Sequence, residues 1–202
     1  MGTKSRLAAF IAILFLLTPL LGVGAEPTES MNFSESKSLD YYDTGFVNGQ
    51  INFGEEGESL EVKIDYPSSE NESGEMSEMA WDGAPFPVVL FFVDEGEEID
   101  NYGWLTQSLA SSGYIVITPE DRWTANDGEV LVGDIARIHS AITNVNIAGF
   151  EDDNQPDNFI GGFDVEHWGV GGHGTGGAVA AITQSMWDTT LNDTFIPPRA
   201  IF

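Results

Sequence analysis

The sequence has no cysteine and very few basic residues. Its 202 residues include 7 lysines and arginines against 33 aspartates and glutamates, which gives a formal net charge of −26 at pH 7. Without cysteine, disulfides, thiol catalysis and cysteine-ligated metals are all excluded. The strong negative charge repels nucleic acid and anionic membranes, so we expect neither as a partner.

The first 25 residues differ from the rest of the chain. Lys4 and Arg6 precede an apolar run at residues 7–17, and the small residues 23–25 precede Glu26. A basic start, a short apolar core and a small-residue exit are typical of a secretory signal peptide. The apolar run is shorter than the roughly 20 residues that a membrane span needs. We therefore expect cleavage after Ala25 and a secreted or extracytoplasmic protein.

The remainder of the chain divides into a leader and one domain. Residues 26–43 are polar and acidic, which favours a flexible leader, and the folded domain is expected over residues 44–202. Residues 46–53 and 60–66 alternate apolar and polar side chains on either side of a Gly-containing turn at 54–57. This pattern predicts an antiparallel strand pair, followed by an acidic loop at 67–81.

Strand and helix patterns alternate through the rest of the domain. Residues 87–93 and 114–118 are continuous apolar runs, typical of strands buried on both faces. Helical spacing at 102–112 and 130–147 predicts two helices, and an acidic loop at 151–158 leads towards a strand at 168–170. A helix is expected after Gly176, to about Trp187, and residues 197–202 begin another strand. The fold class is therefore α/β, a doubly wound and mostly parallel sheet with helices on both faces.

A Gly-rich run at residues 168–177, WGVGGHGTGG, carries the clearest chemical signal. It reads as an apolar strand, a sharp turn and a helix of small residues. This is the context of the G-x-S-x-G nucleophile elbow, whose middle residue attacks a carbonyl carbon. Here Gly172, His173 and Gly176 frame Gly174, which stands in the nucleophile position and has no side chain.

The wider pattern resembles the α/β-hydrolases. It combines residues 87–92, 102–105 and 109–119 with NQP at 154–156 and GFD at 162–164, ahead of the elbow. The branch that it resembles holds chlorophyllase, dienelactone hydrolase, platelet-activating-factor acetylhydrolase and the cutinase-like polyesterases. The resemblance covers about residues 46–202. It implies an ester hydrolase with a Ser–His–Asp triad and an oxyanion hole made of backbone N–H groups.

The resemblance assigns positions in the oxyanion hole. Thr175, which follows the nucleophile position, supplies one N–H, and Glu95, after the strand at 87–93, supplies the other. Asp94 stands where the family has a glycine. A carboxylate beside a site that stabilises developing negative charge opposes that function.

The acid and the histidine of the triad should follow the nucleophile in chain order. Only Asp188 and Asp193 are acidic beyond Gly174, and no histidine follows it. Loss of the serine alone lowers turnover by a factor on the order of 10⁶ in such a triad. Thr175 is not expected to replace the serine, because no base accompanies it.

The three histidines all precede Gly174. His173 is expected to pack beside the elbow, His167 to lie at a strand entrance, and His139 to lie on a helix face. The acidic runs at 95–100 and 151–157 lack EF-hand spacing and read as solvated loops. The sequence therefore indicates neither a metal site nor a cofactor.

The leading hypothesis is a relative of carboxylic-ester hydrolases that does not run serine catalysis, a pseudoenzyme. One alternative is an active ester hydrolase whose record is incomplete and carries an error at codon 174. Another is a non-catalytic binding protein for a small apolar ester or acyl ligand. Because residues 200–202 stop within what should be an interior strand, the sequence reads as a fragment that lacks C-terminal strands and helices. No oligomeric state is indicated.

Overall fold

The computed structural model describes residues 41–52, 59–120, 128–150, 159–191 and 195–202. The expected signal peptide and most of the expected leader lie outside the described residues. The turn at 54–57 and the acidic loop at 151–158 lie outside them as well.

Within these described residues, seven strands form one sheet in the order β3-β1-β2-β5-β4-β6-β7. They are β1 (Asp43–Asn52), β2 (Ser59–Ser68), β3 (Gly74–Glu75), β4 (Phe86–Phe92), β5 (Ile115–Pro119), β6 (Phe163–Gly172) and β7 (Ala200–Ile201). Strand β4 runs parallel to its neighbours β5 and β6, and β6 runs parallel to β7. The expected strand pair is β1 and β2, which are antiparallel, and β2 is also antiparallel to β5. The fold is α/β, with a mixed, mostly parallel sheet.

Helices pack on both faces of this sheet. A 3₁₀ turn (Ile99–Tyr102) leads into α1 (Gly103–Ser111), which packs against β2 and β5 on one face. On the other face α2 (Gly128–Ala148) and α3 (Thr175–Thr190) pack against each other and against β6. Among the residues that the structure describes, no helix has the length and apolar character needed to cross a membrane.

The alternation of side chains along β2 divides the core between the two faces. Leu60, Val62, Ile64 and Tyr66 are buried in the larger cluster, together with α2 and α3. A smaller cluster around Phe91 and Val116 packs under α1. Each fully buried side chain of this size contributes roughly 1.5–3 kcal/mol of hydrophobic stabilisation, so the larger cluster dominates. It anchors the carboxyl ends of β4 and β6, where the Gly-rich turn lies.

Three elements differ from the sequence expectation. The loop expected at 67–81 contains β3, whose two residues pair with Gly45 and Phe46 of β1 and are too few to produce a periodicity. The strand expected at 168–170 is ten residues long in the structure. Its first half is not predicted because it is polar and partly exposed, so the sequence shows no apolar run there. Helix α3 begins at Thr175, two residues earlier than expected.

The strand expected at the C-terminus is β7. It pairs with β6 and is the last strand in the sheet order, so it has one neighbouring strand among the described residues.

Candidate active site

The turn between β6 and α3 places Gly174 at the carboxyl end of β6. Gly174 precedes the first residue of α3 and has φ 57° and ψ −119°. A side-chain-bearing residue held in such a sparsely populated backbone region costs about 1–3 kcal/mol. The strand, the sharp turn and the helix expected from the sequence are therefore all present, with an exposed glycine at their apex.

The flanking glycines let the strand and the helix approach closely. A Cβ built on Gly172 would overlap the backbone of Gly176, and a Cβ on Gly176 would overlap the carbonyl of Phe92. The N–H of His173 also donates to the Phe92 carbonyl at 3.1 Å. These contacts join the elbow to the end of β4, and so to the loop that begins at Val93.

The side chain of Asp94 lies where a nucleophile's side chain would stand. A Cβ built on Gly174 would overlap all three terminal atoms of the Asp94 carboxylate group. Residue 94 reaches this position from the loop after β4, 80 residues earlier in the chain. The space that a serine needs at position 174 is therefore filled by a carboxylate.

Two backbone N–H groups and one hydroxyl converge on a single oxygen of that carboxylate. The Thr175 N–H donates to Asp94 Oδ1 at 2.8 Å, the Glu95 N–H donates to it at 2.9 Å, and the Thr175 hydroxyl donates to it at 3.0 Å. The Glu95 N–H also donates to Thr175 Oγ1 at 2.7 Å. The structure thus brings together the two positions that the sequence assigned to an oxyanion hole. Both of them bind Asp94.

These donors favour the ionised form of the carboxylate. The backbone N–H of Thr175, followed by its hydroxyl, holds the pKa of Asp94 below its usual value. The Glu95 N–H and the nearby His173 act in the same direction. At neutral pH Asp94 therefore places a full negative charge between the two N–H groups.

His173 is bound to a tyrosine. Its Nδ1 lies 3.0 Å from the hydroxyl of Tyr102, and that hydroxyl accepts the backbone N–H of Asp94 at 3.3 Å. Because the Tyr102 oxygen accepts from Asp94, its proton is available to donate to Nδ1. His173 therefore lies beside the elbow, as expected, and its ring is exposed. In a triad, by contrast, a carboxylate orients the imidazole.

The other two histidines are removed from the elbow. His167 lies on β6, where its Nδ1 is 2.8 Å from Asp164 Oδ2. At about 3.3 Å per strand residue, it is roughly 17 Å along the strand from Gly172. His139 is buried on α2, stacks on Trp168 with 4.4 Å between ring centroids, and lies 2.9 Å from the carbonyl of Val165. Neither histidine supplies a base at Gly174.

A cavity of about 510 Å³ opens beside the elbow. Its lining includes Phe46, Lys63 and six carboxylate side chains, those of Asp94, Glu95, Glu97, Glu98, Asp100 and Glu120. The Lys63 ammonium is bound to Asp100 at 2.7 Å, and this ion pair lowers the pKa of Asp100. The cavity is therefore strongly negative, which disfavours an anionic ligand.

A second groove, of about 440 Å³, is mostly apolar. Val89, Leu109 and Phe202 are among the residues that line it, and it shares no residue with the acidic cavity. The apolar groove is therefore separate from the elbow and does not form an acyl-binding pocket there. Among the described residues, no group of three or more acidic or histidine side chains is placed to hold a metal ion.

Two contacts of the site are not predicted from the sequence. The helical spacing assigns Tyr102 only to a helix, whereas the folded chain places it against His173 and Asp94. The sequence marks Asp94 as an unfavourable neighbour of the oxyanion hole but does not place it at Gly174. The Tyr102–His173 and Asp94–Thr175 contacts join residues that are more than 70 positions apart.

Comparisons with known proteins find solved structures that are similar to this chain. No family model matches the chain, and no curated protein matches it. A solved structure of a ferulic acid esterase from Streptomyces cinnamoneus is similar, with a TM-score of 0.45 and 17% identity, over 78% of this chain. The match spans 59% of the esterase chain. This weak likeness identifies no branch of the ester hydrolases.

Proposed function

We propose that this chain is a relative of carboxylic-ester hydrolases in which serine catalysis has been lost. One observation carries the proposal. The Asp94 carboxylate occupies the space of a side chain at position 174, and it binds both N–H groups that would otherwise receive an oxyanion.

The proposal accounts for glycine at the turn. An elbow residue that carries a side chain bears a backbone strain of about 1–3 kcal/mol, which an active enzyme tolerates because the side chain is needed. Glycine populates positive φ without a Cβ clash. Without a nucleophile to present, Gly174 relieves that strain and leaves room for Asp94.

It also accounts for the chemistry of the donors. Oxyanion stabilisation depends on donors that are free to meet the charge that develops in the transition state. Here those donors already bind a charge of the same sign. An ester carbonyl would have to displace Asp94 and would then lie against the acidic cavity.

The two alternatives have less support. An active ester hydrolase with an error at codon 174 needs a serine in a space that Asp94 fills. A binding protein for an apolar ester or acyl ligand needs an apolar pocket at the elbow, where the cavity is lined by six carboxylates.

We further propose that the chain is exported and cleaved after Ala25, on the strength of the basic start and the short apolar run. Expression in an exporting host, followed by N-terminal sequencing of the secreted protein, tests this. A product that begins at Glu26 supports it, and a retained Met1 contradicts it.

Hydrolysis of p-nitrophenyl butyrate tests the loss of catalysis. We expect the purified chain to give no saturable rate above buffer. We also expect none from Gly174→Ser, since no histidine follows position 174 in the sequence to act as its base, or from Gly174→Ser combined with Asp94→Gly. Saturable turnover by the unmodified chain would contradict the proposal. A clear rate gain in Gly174→Ser alone would contradict the argument from the missing base.

A further inference from the structure

We propose that Asp94 is an autoinhibitory ligand of this site, whose carboxylate closes the pair of donors formed by Glu95 and Thr175 against any other carbonyl or carboxylate oxygen. The inference rests on the proposed function only in taking that pair to be an oxyanion hole. It adds that the hole is still formed and that the chain itself keeps it closed.

The geometry of the donors supports a preserved hole. Their distances to Oδ1 lie between 2.8 and 3.0 Å, and three donors from two separate segments, the loop after β4 and the start of α3, meet at one oxygen. The two N–H···O distances, 2.8 and 2.9 Å, are those of charge-assisted hydrogen bonds to an ionised carboxylate. The donors are therefore spaced for one oxygen of a carboxylate or of a tetrahedral intermediate.

The attachment of Asp94 to the chain makes it a strong competitor. It is adjacent to Glu95, so its carboxylate remains near the donors at a high effective concentration. Its backbone N–H is bound to the Tyr102 hydroxyl, which fixes the base of the side chain. A free carboxylate in solution has neither advantage, and the neighbouring acidic side chains repel it.

The site nevertheless has room to open. The adjoining cavity of about 510 Å³ has Asp94 in its lining, so the side chain has space into which it can rotate. No hydrogen bond to Oδ2 of Asp94 exists within the part of the chain that the structure describes. A single oxygen, Oδ1, therefore holds the side chain in the closed position.

Removal of the Asp94 carboxylate should allow an added carboxylate, such as acetate, to bind the Glu95 and Thr175 donors. We suggest titrating acetate into the ¹⁵N-labelled chain, its Asp94→Ala variant and a Glu98→Ala control, following the amide resonances of Glu95 and Thr175. Glu98 lines the same cavity and has no bond to the donors, so its removal deletes the same charge. We expect saturable shifts in Asp94→Ala, with acetate bound at least tenfold more tightly than by the unmodified chain or by the control.

Two results would overturn the inference. One is equal acetate binding by the unmodified chain and by Asp94→Ala. The other is a folded Asp94→Ala variant in which neither amide responds to acetate.

A second measurement covers the case in which Asp94→Ala does not fold. Asp94→Asn keeps the shape of the side chain but loses its charge. The amide protons of Glu95 and Thr175 should then move upfield, while those of residues outside the loop should not. Unchanged amide protons would contradict the closed hole.

None of these readouts depends on ester turnover. Hydrolysis by the unmodified chain would refute the loss of catalysis, whereas a failure of acetate to bind the opened site would refute autoinhibition alone.

Discussion

A single methyl group at the elbow, introduced by Gly174→Ala, should destabilise the fold measurably. Position 174 has φ 57° and ψ −119°, and an alanine held there carries a backbone strain of about 1–3 kcal/mol. The new Cβ also overlaps the Asp94 carboxylate, which must leave its donors. The strain therefore sets a lower limit on the expected loss of stability.

Urea unfolding measures this loss. With a slope of about 2 kcal/mol per molar urea, a loss of about 1–3 kcal/mol lowers the midpoint by about 0.5–1.5 M. Gly133→Ala is the matched control, because Gly133 lies in α2 and its Cβ would meet nothing within 4 Å. There alanine should raise stability by roughly 0.5–1 kcal/mol.

A double-mutant cycle separates strain from overlap. In an Asp94→Gly background the overlap is absent, so Gly174→Ala should cost only the strain. A larger cost in the original chain gives the coupling between the two residues. If Gly174→Ala were as stable as the unmodified chain, the elbow geometry described here would be wrong.

Three further outcomes follow from buried or paired groups. Burial raises the pKa of Asp65 above its unfolded value of about 3.9, although Thr106 and Lys63 oppose this shift. The free energy of unfolding should therefore fall as the pH rises above about 4. Asp65→Asn should remove that fall and be the more stable form at pH 7 in urea unfolding; equal pH profiles would contradict this. Burial lowers the pKa of His139 below about 6.5, so the free energy of unfolding should fall as the pH drops through and below that value. His139→Gln, whose side-chain amide can still donate to the Val165 carbonyl, should flatten this pH dependence. An unchanged slope would count against it. Lys63→Met should raise the pKa of Asp100 back towards its usual range, as measured by NMR titration of the carboxyl carbon, and no change would show that the 2.7 Å ion pair is not formed in solution.

The alternation of strands and helices could be predicted from sequence because each element carries its own local signal. The apolar run of β4 and the spacing along α2 locate both elements to within a few residues. Helix α3 follows the Gly-rich turn in the same way. These signals come from residues close together in the chain, so they can be recognised from the sequence alone.

The elements that escaped prediction depend on partners far along the chain. β3 exists only because two residues meet β1. The polar first half of β6 pairs with β4 only at Phe163 and Asp164, before a register shift that resumes the pairing at Trp168. Asp65 occupies a polar position in the alternating pattern of β2, but no local sequence feature indicates that α1 buries it. These features come from tertiary packing.

The candidate site divides in the same manner. Gly174 and Thr175 could be located from the elbow motif, because the elbow is a local structure, whereas the position of Glu95 comes from the family resemblance. The place of Asp94 depends on a contact across 81 positions. Its sequence signal was the presence of an acid where a glycine is expected, and only the folded chain shows where that acid lies.

Covalent capture by a fluorophosphonate tests the central claim most directly, because this reagent labels activated serine nucleophiles and needs no turnover. The intact mass of the treated chain, compared with that of an active serine esterase treated alongside it, gives the result. We expect complete labelling of the esterase and no added mass on this chain. A single adduct on this chain, located to Thr175 or to any other hydroxyl near the elbow, would contradict the account.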